Sequence, residues 1–355
     1  MSESIRINQE NADMKSSIHS DKRSARAFRS KKEERNYWIL LVMMIVLGLL
    51  AAYGLLVYKN PVPVTSSSFI PVVRRRMVAV GAMCVAAVCQ SLATVAFQTS
   101  TNNRIITPSL LGFEALYTTI NTSVMFFFGV RVFIGFTGSV GSFIFQVVAM
   151  VLMCLLLYGW LLSGKYGNLQ FMLLIGVIIG TGLRSVSSFM RRLLAPSEFD
   201  ILQARSFGSV NNADARYFPI AIPIVIVVAI LIIAYSKKLN VLALGKGASA
   251  ALGVNSKVGT IYILVLVSIL MSISTALLGP LTFYGFLVAT LTYQIAPTYD
   301  HRYIFPMALA LGFVTLTAAY FVMNHVFPAQ GVVSVIIEMF GGLIFLIVLL
   351  RKGTL

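Results

Sequence analysis

The sequence predicts an all-α polytopic membrane protein with about ten transmembrane helices, and three observations lead to this fold class. Of the 355 residues, 58% are hydrophobic and only 11% are charged. A soluble domain carries about 25% charged residues, so this chain cannot cover a water-facing surface. Apolar runs long enough to cross a bilayer recur along almost the whole chain, which excludes a single anchor joined to a soluble domain.

The positions of these runs define ten candidate spans. The first, 38–58, carries no charge and covers about 32 Å as an α-helix, enough to cross the hydrocarbon core. The segment 282–295 is too short to cross alone and follows Gly279-Pro280, so we expect a broken helix whose backbone is covered by protein. The other eight runs are 77–97, 109–129, 133–162, 169–190, 217–236, 258–277, 304–325 and 332–350.

The first 36 residues are polar, lack apolar periodicity and hold nine of the 28 Lys and Arg residues. They predict a disordered basic cytoplasmic tail, 1–36, ahead of a ten-span domain, 37–355. The first apolar run starts late and is long, which argues against a cleaved signal peptide. Two roles remain open for the tail: attraction to anionic lipid headgroups, or only a contribution to orientation.

The distribution of basic residues predicts the orientation. Ten spans place both termini on one side of the membrane. With that side cytoplasmic, its segments hold 18 of the 28 Lys and Arg residues and the outer segments hold ten. Since positive charge concentrates on the cytoplasmic side, we expect cytoplasmic N- and C-termini.

The net charge of +16 does not indicate nucleic-acid binding, because the basic residues mostly flank apolar runs. The outer basic residues include the run Arg74–Arg76 and the arginines of the loop 191–216. Two interpretations remain open for them. They form a basic rim that docks an acidic partner, or they anchor the helix ends at lipid headgroups.

The sequence contains no catalytic or metal-binding constellation. The cysteines lie singly inside apolar runs and the histidines are scattered, so neither a metal cluster nor a nucleophile–base pair can be assembled from spacing. These residues are Cys84, Cys89, Cys154, His19, His301 and His325.

Two carboxylates, Glu114 and Glu338, lie within predicted spans. Intramembrane carboxylates are costly and often functional, so an ion-coupled secondary transporter is an alternative function. Such carriers more often gather several polar residues at the midplane, and a structural or interfacial role is favoured for both residues.

The segment Leu239–Asn255, with the sequence LNVLALGKGASAALGVN, is predicted to lie on the cytoplasmic side. It is apolar and rich in small residues, and its pattern predicts two short helices broken at Gly245-Lys246-Gly247. The stretch around Lys246 lacks the upstream glycine and the Ser/Thr of a phosphate-binding loop, so any ATPase must be a separate chain. The segment is expected to dock a partner, although an interfacial helix is also possible.

Three motifs, in this order, resemble those of the FecCD-type permeases of ABC importers for iron siderophores, haem and cobalamin. Phe97–Tyr117 resembles the loop after the second span, in the form of the catecholate-siderophore subgroup, and Leu239–Asn255 resembles the coupling segment. Leu277–Pro306 resembles a Gly-Pro segment followed by Asp-His-Arg and Pro. There are two departures from the family pattern: Ala289–Thr292 replaces a Pro-His pair, near the expected ATPase-facing side, and Asn103-Arg104 replaces Asn-Pro.

The resemblance covers about residues 38–355 and implies a permease subunit of an ATP-driven importer for iron–siderophore complexes, in the bacterial cytoplasmic membrane. It implies no catalytic site or cofactor in this chain, with ATP and Mg²⁺ bound by a partner ATPase. The other implied partners are a second permease subunit, identical or different, a lipidated or periplasmic substrate-binding protein, and membrane lipids. Spans 2–5 and 7–10 would form an inverted repeat. The other hypotheses are the ion-coupled carrier and a non-transporting membrane scaffold.

The resemblance also implies three groups of functional residues. Contacts with the ATPase are expected at Leu242, Leu244, Gly245, Lys246, Gly247, Ala248, Ala251, Leu252 and Gly253. Docking of the binding protein is expected at Arg74, Arg75, Arg76 and Arg216. The pathway is expected to be lined by the fifth span at Gly176, Gly180 and Gly182, although small residues also allow close helix packing.

Overall fold

The computed structural model describes residues 27–58, 69–163, 169–325 and 333–352. Within these ranges the chain forms thirteen α-helices and three short 3₁₀ turns, without a strand. The 3₁₀ turns are Pro108–Leu111, Val210–Asn212 and Ala215–Tyr217. The helices are α1 Lys31–Val57, α2 Phe69–Ser100, α3 Phe113–Thr137, α4 Val140–Ser163, α5 Leu169–Arg192, α6 Pro196–Ser206, α7 Phe218–Ala234, α8 Ser236–Leu242, α9 Lys246–Ala251, α10 Ser256–Leu278, α11 Tyr284–Ile295, α12 His301–His325 and α13 Val333–Lys352.

The prediction of an all-α polytopic membrane protein is confirmed. Ten of the helices fall on the ten predicted spans, and α6, α8 and α9 are short helices between them. Among the described residues, six helices are long and apolar enough to cross a bilayer by length and composition: α1, α2, α3, α7 with the turn before it, α10 and α12. The large exposed side chains of α1, including Trp38, Leu49 and Leu50, fit lipid as their surroundings.

The first helix begins at Lys31, earlier than the tail boundary predicted at residue 36. Its N-cap is Ser30, whose hydroxyl accepts a hydrogen bond from the backbone N–H of Glu33. Phe28, just before the helix, is buried against Tyr37 and Tyr303. The end of the predicted tail is therefore structured, while residues 1–26 lie outside the described residues.

Contacts between helix ends define two ends of the bundle. One end, which we call the proximal end, holds the start of α1, the end of α2, the segment 236–255 and the start of α12. The distal end holds Tyr58, Gly138 and the segment 196–217. From α2 to α5 the helices run in directions opposite to those of α10 to α13, as an inverted repeat requires.

The core is built around α2, α10 and α12, which bury most of their surface. The first helix packs chiefly on α12, where Gly48 and Gly54 leave room for the rings of Phe313 and Phe321. Small residues at such a crossing bring helix backbones close together, which is the main source of packing energy in lipid.

Two helices begin inside the bundle instead of at its surface. The short helix α11 has 12 residues, about 18 Å, and follows Gly279 in a left-handed conformation (φ +91°). The helix α3 starts after Gly112, also left-handed (φ +94°), and its first turn meets the start of α11 through Glu114 and Thr282. The predicted broken helix at 282–295 is thus observed.

Candidate coupling and docking surfaces

The segment 236–255 folds into α8 and α9, joined by a turn in which Gly245 has φ +90°. A side chain with Cβ is strained at this φ, so glycine allows the break. The hydroxyl of Ser249, buried in α9, shares its one proton between the carbonyl oxygens of Gly245, 2.7 Å away, and Val241, 2.9 Å away, and so links α9 to α8. The predicted pair of short helices is present, with α9 beginning at Lys246.

Among the predicted coupling residues, Leu242 is buried and Gly245 is half-buried, whereas the others are exposed. Leu242 is 2% exposed and packs against Gly259 of α10, so it fixes the segment to the bundle. Leu244 and Leu252 are 61% and 60% exposed. Small or charged neighbours share this exposed surface: Lys246, Gly247, Ala248, Ala251 and Gly253. Exposed leucines flanked by small residues at a bundle end form a surface suited to a protein partner.

A polar network at the proximal end joins α8 to α2 and α12. The side chain of Asn240 lies between Asp300 and His301, donating to the Asp300 carboxylate over 2.9 Å and accepting from the His301 backbone N–H over 3.0 Å. The His301 ring contacts Asn240 on one side and the Thr99 hydroxyl, 2.7 Å away, on the other. Although burial raises the pKa of Asp300, hydrogen bonds from Arg302 and Asn240 lower it below its usual value.

This network was not predicted from the sequence. Its members are separated by 61 and 202 positions along the chain, so no local spacing links them. The sequence signal for it is the Asp-His-Arg motif, which lies at the start of α12.

The four predicted docking arginines differ in their surroundings. Arg74 and Arg75 are exposed near the start of α2 at the distal end. Arg76 donates hydrogen bonds of 3.1 to 3.2 Å to the backbone carbonyls of Leu55, Leu56 and Tyr58. It therefore caps the last turn of α1, where cationic side chains are favoured.

Arg216 lies at the distal end, beside the start of α7. It forms a 2.6 Å ion pair with Asp214 and donates over 2.7 Å to the carbonyl of Gly138. The hydrogen bond from Arg216 lowers the pKa of Asp214 below its usual value. Because the arginine side chain is 63% exposed, it also presents charge to the distal surface.

The three glycines of α5 occupy different positions. A Cβ atom on Gly176 would lie 3.1 Å from Leu111, and one on Gly180 would lie 3.2 Å from the Cα of Gly112. Both glycines are buried and let α5 approach the turn before α3. Gly182 is exposed, with open space where a Cβ would be. The exposed face of α5 that holds it also carries polar residues, Thr181 and Ser185.

The two intramembrane carboxylates, distant in sequence, meet at Thr282. The Thr282 hydroxyl donates to Glu114 over 2.7 Å, and Glu338 lies 3.4 Å from the same hydroxyl. Glu114 is 5% exposed. The expectation that it could reach the interface is wrong, because α3 begins inside the bundle. Among the described residues, no group of three His, Cys, Asp or Glu side chains could hold a metal ion.

Comparison with known proteins identifies relatives over nearly the full length. The model of the FecCD transport family matches residues 37–351. The petrobactin import system permease protein FatC of Bacillus anthracis is 70% identical over 348 residues, covering 98% of each chain. The petrobactin import system permease protein YclO of Bacillus subtilis is 36% identical over 279 residues, covering 79% of this chain and 88% of YclO.

A solved structure supports the same fold. It is an ABC transporter of the metal-chelate type in an inward-facing conformation, with a TM-score of 0.71 and 16% sequence identity. The alignment covers 89% of this chain and 99% of that one. Together with the match of the family model to most of the sequence, these relatives show that the chain belongs to the FecCD transport family.

Proposed function

We propose that this chain is the membrane-spanning permease subunit of an ATP-driven importer for iron–siderophore complexes, with petrobactin as the siderophore. The observation that carries this proposal is the 70% identity to a petrobactin import permease over 98% of both chains. The chain itself supplies the pathway and no catalytic step.

The proposed topology places the proximal end in the cytoplasm and the distal end outside, in the bacterial cytoplasmic membrane. The charge bias supports it, since the segments that the sequence predicts to be cytoplasmic hold 18 of the 28 basic residues. The segment 236–255 would then face the cytoplasm, where ATP is available.

Three protein partners follow from this topology. A separate ATPase, which binds ATP and Mg²⁺, would contact the exposed residues around Leu244 and Leu252. A lipidated or periplasmic binding protein would dock through acidic residues near Arg74, Arg75 and Arg216, where electrostatic complementarity speeds association. A second permease subunit would pack beside α5, whose exposed face, with Gly182, would line the pathway between the two subunits.

Iron–siderophore complexes enter this scheme as cargo. No cluster of metal ligands is required in the pathway, because the siderophore holds the iron and the permease needs only weak, transient contacts. Selection of the siderophore would rest mainly on the binding protein.

Uptake of ⁵⁵Fe-loaded petrobactin in a strain lacking this gene tests the proposal. We expect uptake to return with the wild-type gene, to stop when the partner ATPase is inactive, and to persist with a protonophore while ATP is maintained. Uptake that survives loss of ATPase activity but stops with the protonophore would overturn the importer in favour of the ion-coupled carrier. Competition with a chemically different iron–siderophore complex tests the assignment of petrobactin.

A further inference from the structure

The hydrogen-bonding atoms around Asn240 have only one consistent arrangement. The backbone N–H of His301 can only donate, so the atom of Asn240 that faces it must be the amide oxygen. The ionised carboxylate of Asp300 can only accept, so it faces the amide nitrogen. Asp300 is held in this orientation by Arg302, which donates twice to its second oxygen at 2.6 and 2.9 Å.

The same logic fixes the histidine ring. The oxygen of Asn240 accepts from Nδ1 of His301, so Nδ1 carries the ring proton. Nε2 is then an acceptor, and it accepts a hydrogen bond of 2.7 Å from the Thr99 hydroxyl. One continuous chain of donors and acceptors therefore runs from α8 through the start of α12 to the last turn of α2.

The three helices that this network joins have different roles. The α8 helix is part of the coupling segment, whereas α2 and α12 are among the most buried helices of the bundle. The inner part of the network is shielded from water, since His301 is 3% exposed and Thr99 is 9% exposed, whereas Asn240 and Asp300 are half-buried. Hydrogen bonds in such surroundings are directional and costly to break, so they transmit displacement between rigid elements.

We propose that Asn240, Asp300, His301 and Thr99 form a polar clamp that passes movement of the coupling segment directly to α12 and α2. These are positioning residues: they touch neither ATP nor cargo, and they act through the helices they join. The proposal rests on the proposed function, because it assumes that a partner ATPase moves the segment 236–255.

Other attachments hold the segment without the clamp. Leu239 and Leu242 are buried in the core, and the side chain of Asn102 donates over 3.1 Å to the Leu242 carbonyl. Loss of the clamp should therefore leave α8 and α9 in place and the ATPase bound, while movement of the segment reaches α12 less completely. Variants of the clamp should therefore reduce coupling to ATP hydrolysis without reducing docking of the ATPase.

The test uses the full transporter, reconstituted in proteoliposomes with its ATPase, partner permease and binding protein. Asn240→Asp places a second carboxylate beside that of Asp300 and removes the side-chain N–H that donates to Asp300. Combining it with Asp300→Asn returns one donor and one acceptor to the pair. The matched control is Asn212→Asp at the distal end, where the wild-type amide donates to the carbonyls of Phe207 and Leu278.

The measured quantity is iron–siderophore imported per ATP hydrolysed. We expect Asn240→Asp to lower it by about fivefold or more, the scale set by an uncompensated buried polar group. Co-purification of the ATPase should remain, the double exchange should recover most of the ratio, and Asn212→Asp should leave it unchanged. An unchanged ratio for Asn240→Asp, or loss of ATPase binding with it, would overturn the clamp.

A second variant covers the case in which Asn240→Asp does not fold. Thr99→Val keeps the shape of the side chain and removes the hydroxyl that binds His301 and that also bonds with Tyr293, and the ratio should fall by about twofold or more. An unchanged ratio for a folded Thr99→Val complex would also overturn the clamp. Failure of the proposed function is recognised separately, because the wild-type complex would then show no ATP-dependent import.

Discussion

The Thr282 hydroxyl and the Glu114 carboxylate are joined by a 2.7 Å hydrogen bond between the turn before α11 and the first turn of α3. A hydroxyl has one proton, so Glu114 receives the strong bond and Glu338, at 3.4 Å, is the weaker partner. This contact connects the starts of two helices that both begin inside the bundle. The bond gives one oxygen of the buried Glu114 carboxylate a hydrogen-bond partner within the protein.

Glu114→Gln should preserve import, because the amide oxygen still accepts from Thr282 and the side-chain volume is nearly unchanged. Thr282→Val should lower stability by about 1–3 kcal/mol, since it leaves a buried acceptor without its donor. Thermal unfolding in detergent and ⁵⁵Fe uptake measure the two effects. Loss of import by Glu114→Gln in a complex with normal ATPase activity would instead favour ion coupling.

Ala248→Asp or Ala251→Asp should weaken ATPase association by about tenfold, because a charge would be buried at an apolar contact surface. Co-purification of the ATPase at increasing salt measures the effect. Ala195→Asp is the control: this alanine is exposed at the distal end, at the N-cap of α6, where aspartate is favourable. Equal co-purification by all three variants would contradict docking at α9.

The arginines at the start of α2 should separate into docking and structural residues. Arg74→Glu with Arg75→Glu should slow binding-protein association, most strongly at low salt, without changing thermal stability. Arg76→Gln should instead lower stability by about 1–3 kcal/mol, because two carbonyls of α1 and that of its C-cap, Tyr58, lose a charged donor. If Arg76→Gln slowed association of the binding protein and the double variant lowered thermal stability instead, Arg76 would be the docking residue.

Two glycines of α5 should respond oppositely to the same substitution. Gly180→Val should destabilise the protein by about 1–3 kcal/mol, because its Cβ would press on the backbone of Gly112. Gly182→Val has open space and should leave stability unchanged while reducing the import rate if this face lines the pathway. Unchanged import with Gly182→Val in a folded complex would remove Gly182 from the pathway.

Acid should destabilise the region around Asp300, whose folded-state pKa is below its usual value. The stabilisation by its ionised carboxylate is fully present above the unfolded-state pKa and is lost as pH falls through the lower folded-state pKa. Melting temperature between pH 7 and pH 3 measures this loss. Asp300→Asn should flatten the acid dependence, and an equally steep curve for that variant would contradict it.

Much of the fold could be predicted because the bilayer imposes a length on each apolar run. The ten spans, the break before α11 and the two short helices near Gly245 all follow from local composition. Helix ends were less predictable: α1 begins in the charged stretch at Lys31, since charged residues can extend a helix beyond the hydrocarbon core. The helix α6 was missed because its sequence is polar and lies in a loop.

The sequence could predict the candidate site only where a short apolar segment between two spans indicates residues exposed at the end of the bundle. The apolar surface around Leu244 and Leu252 is such a case. The contacts Asn240–His301 and Arg76–Leu55 depend on how distant helices pack, and one sequence carries no information about that pairing. The meeting of Glu114 with Glu338 was missed for the same reason.

The packing of α1 on α12 has a consequence for biosynthesis. The hydroxyl of Tyr37 donates to the carbonyl of Tyr303, a partner 266 positions later in the chain. Helix α1 therefore enters the bilayer before its main packing partner exists, and its Gly48 and Gly54 surface faces lipid until the ribosome has made α12. A nascent chain truncated before α12 would leave the Gly48 and Gly54 surface without the rings of Phe313 and Phe321 that pack on it.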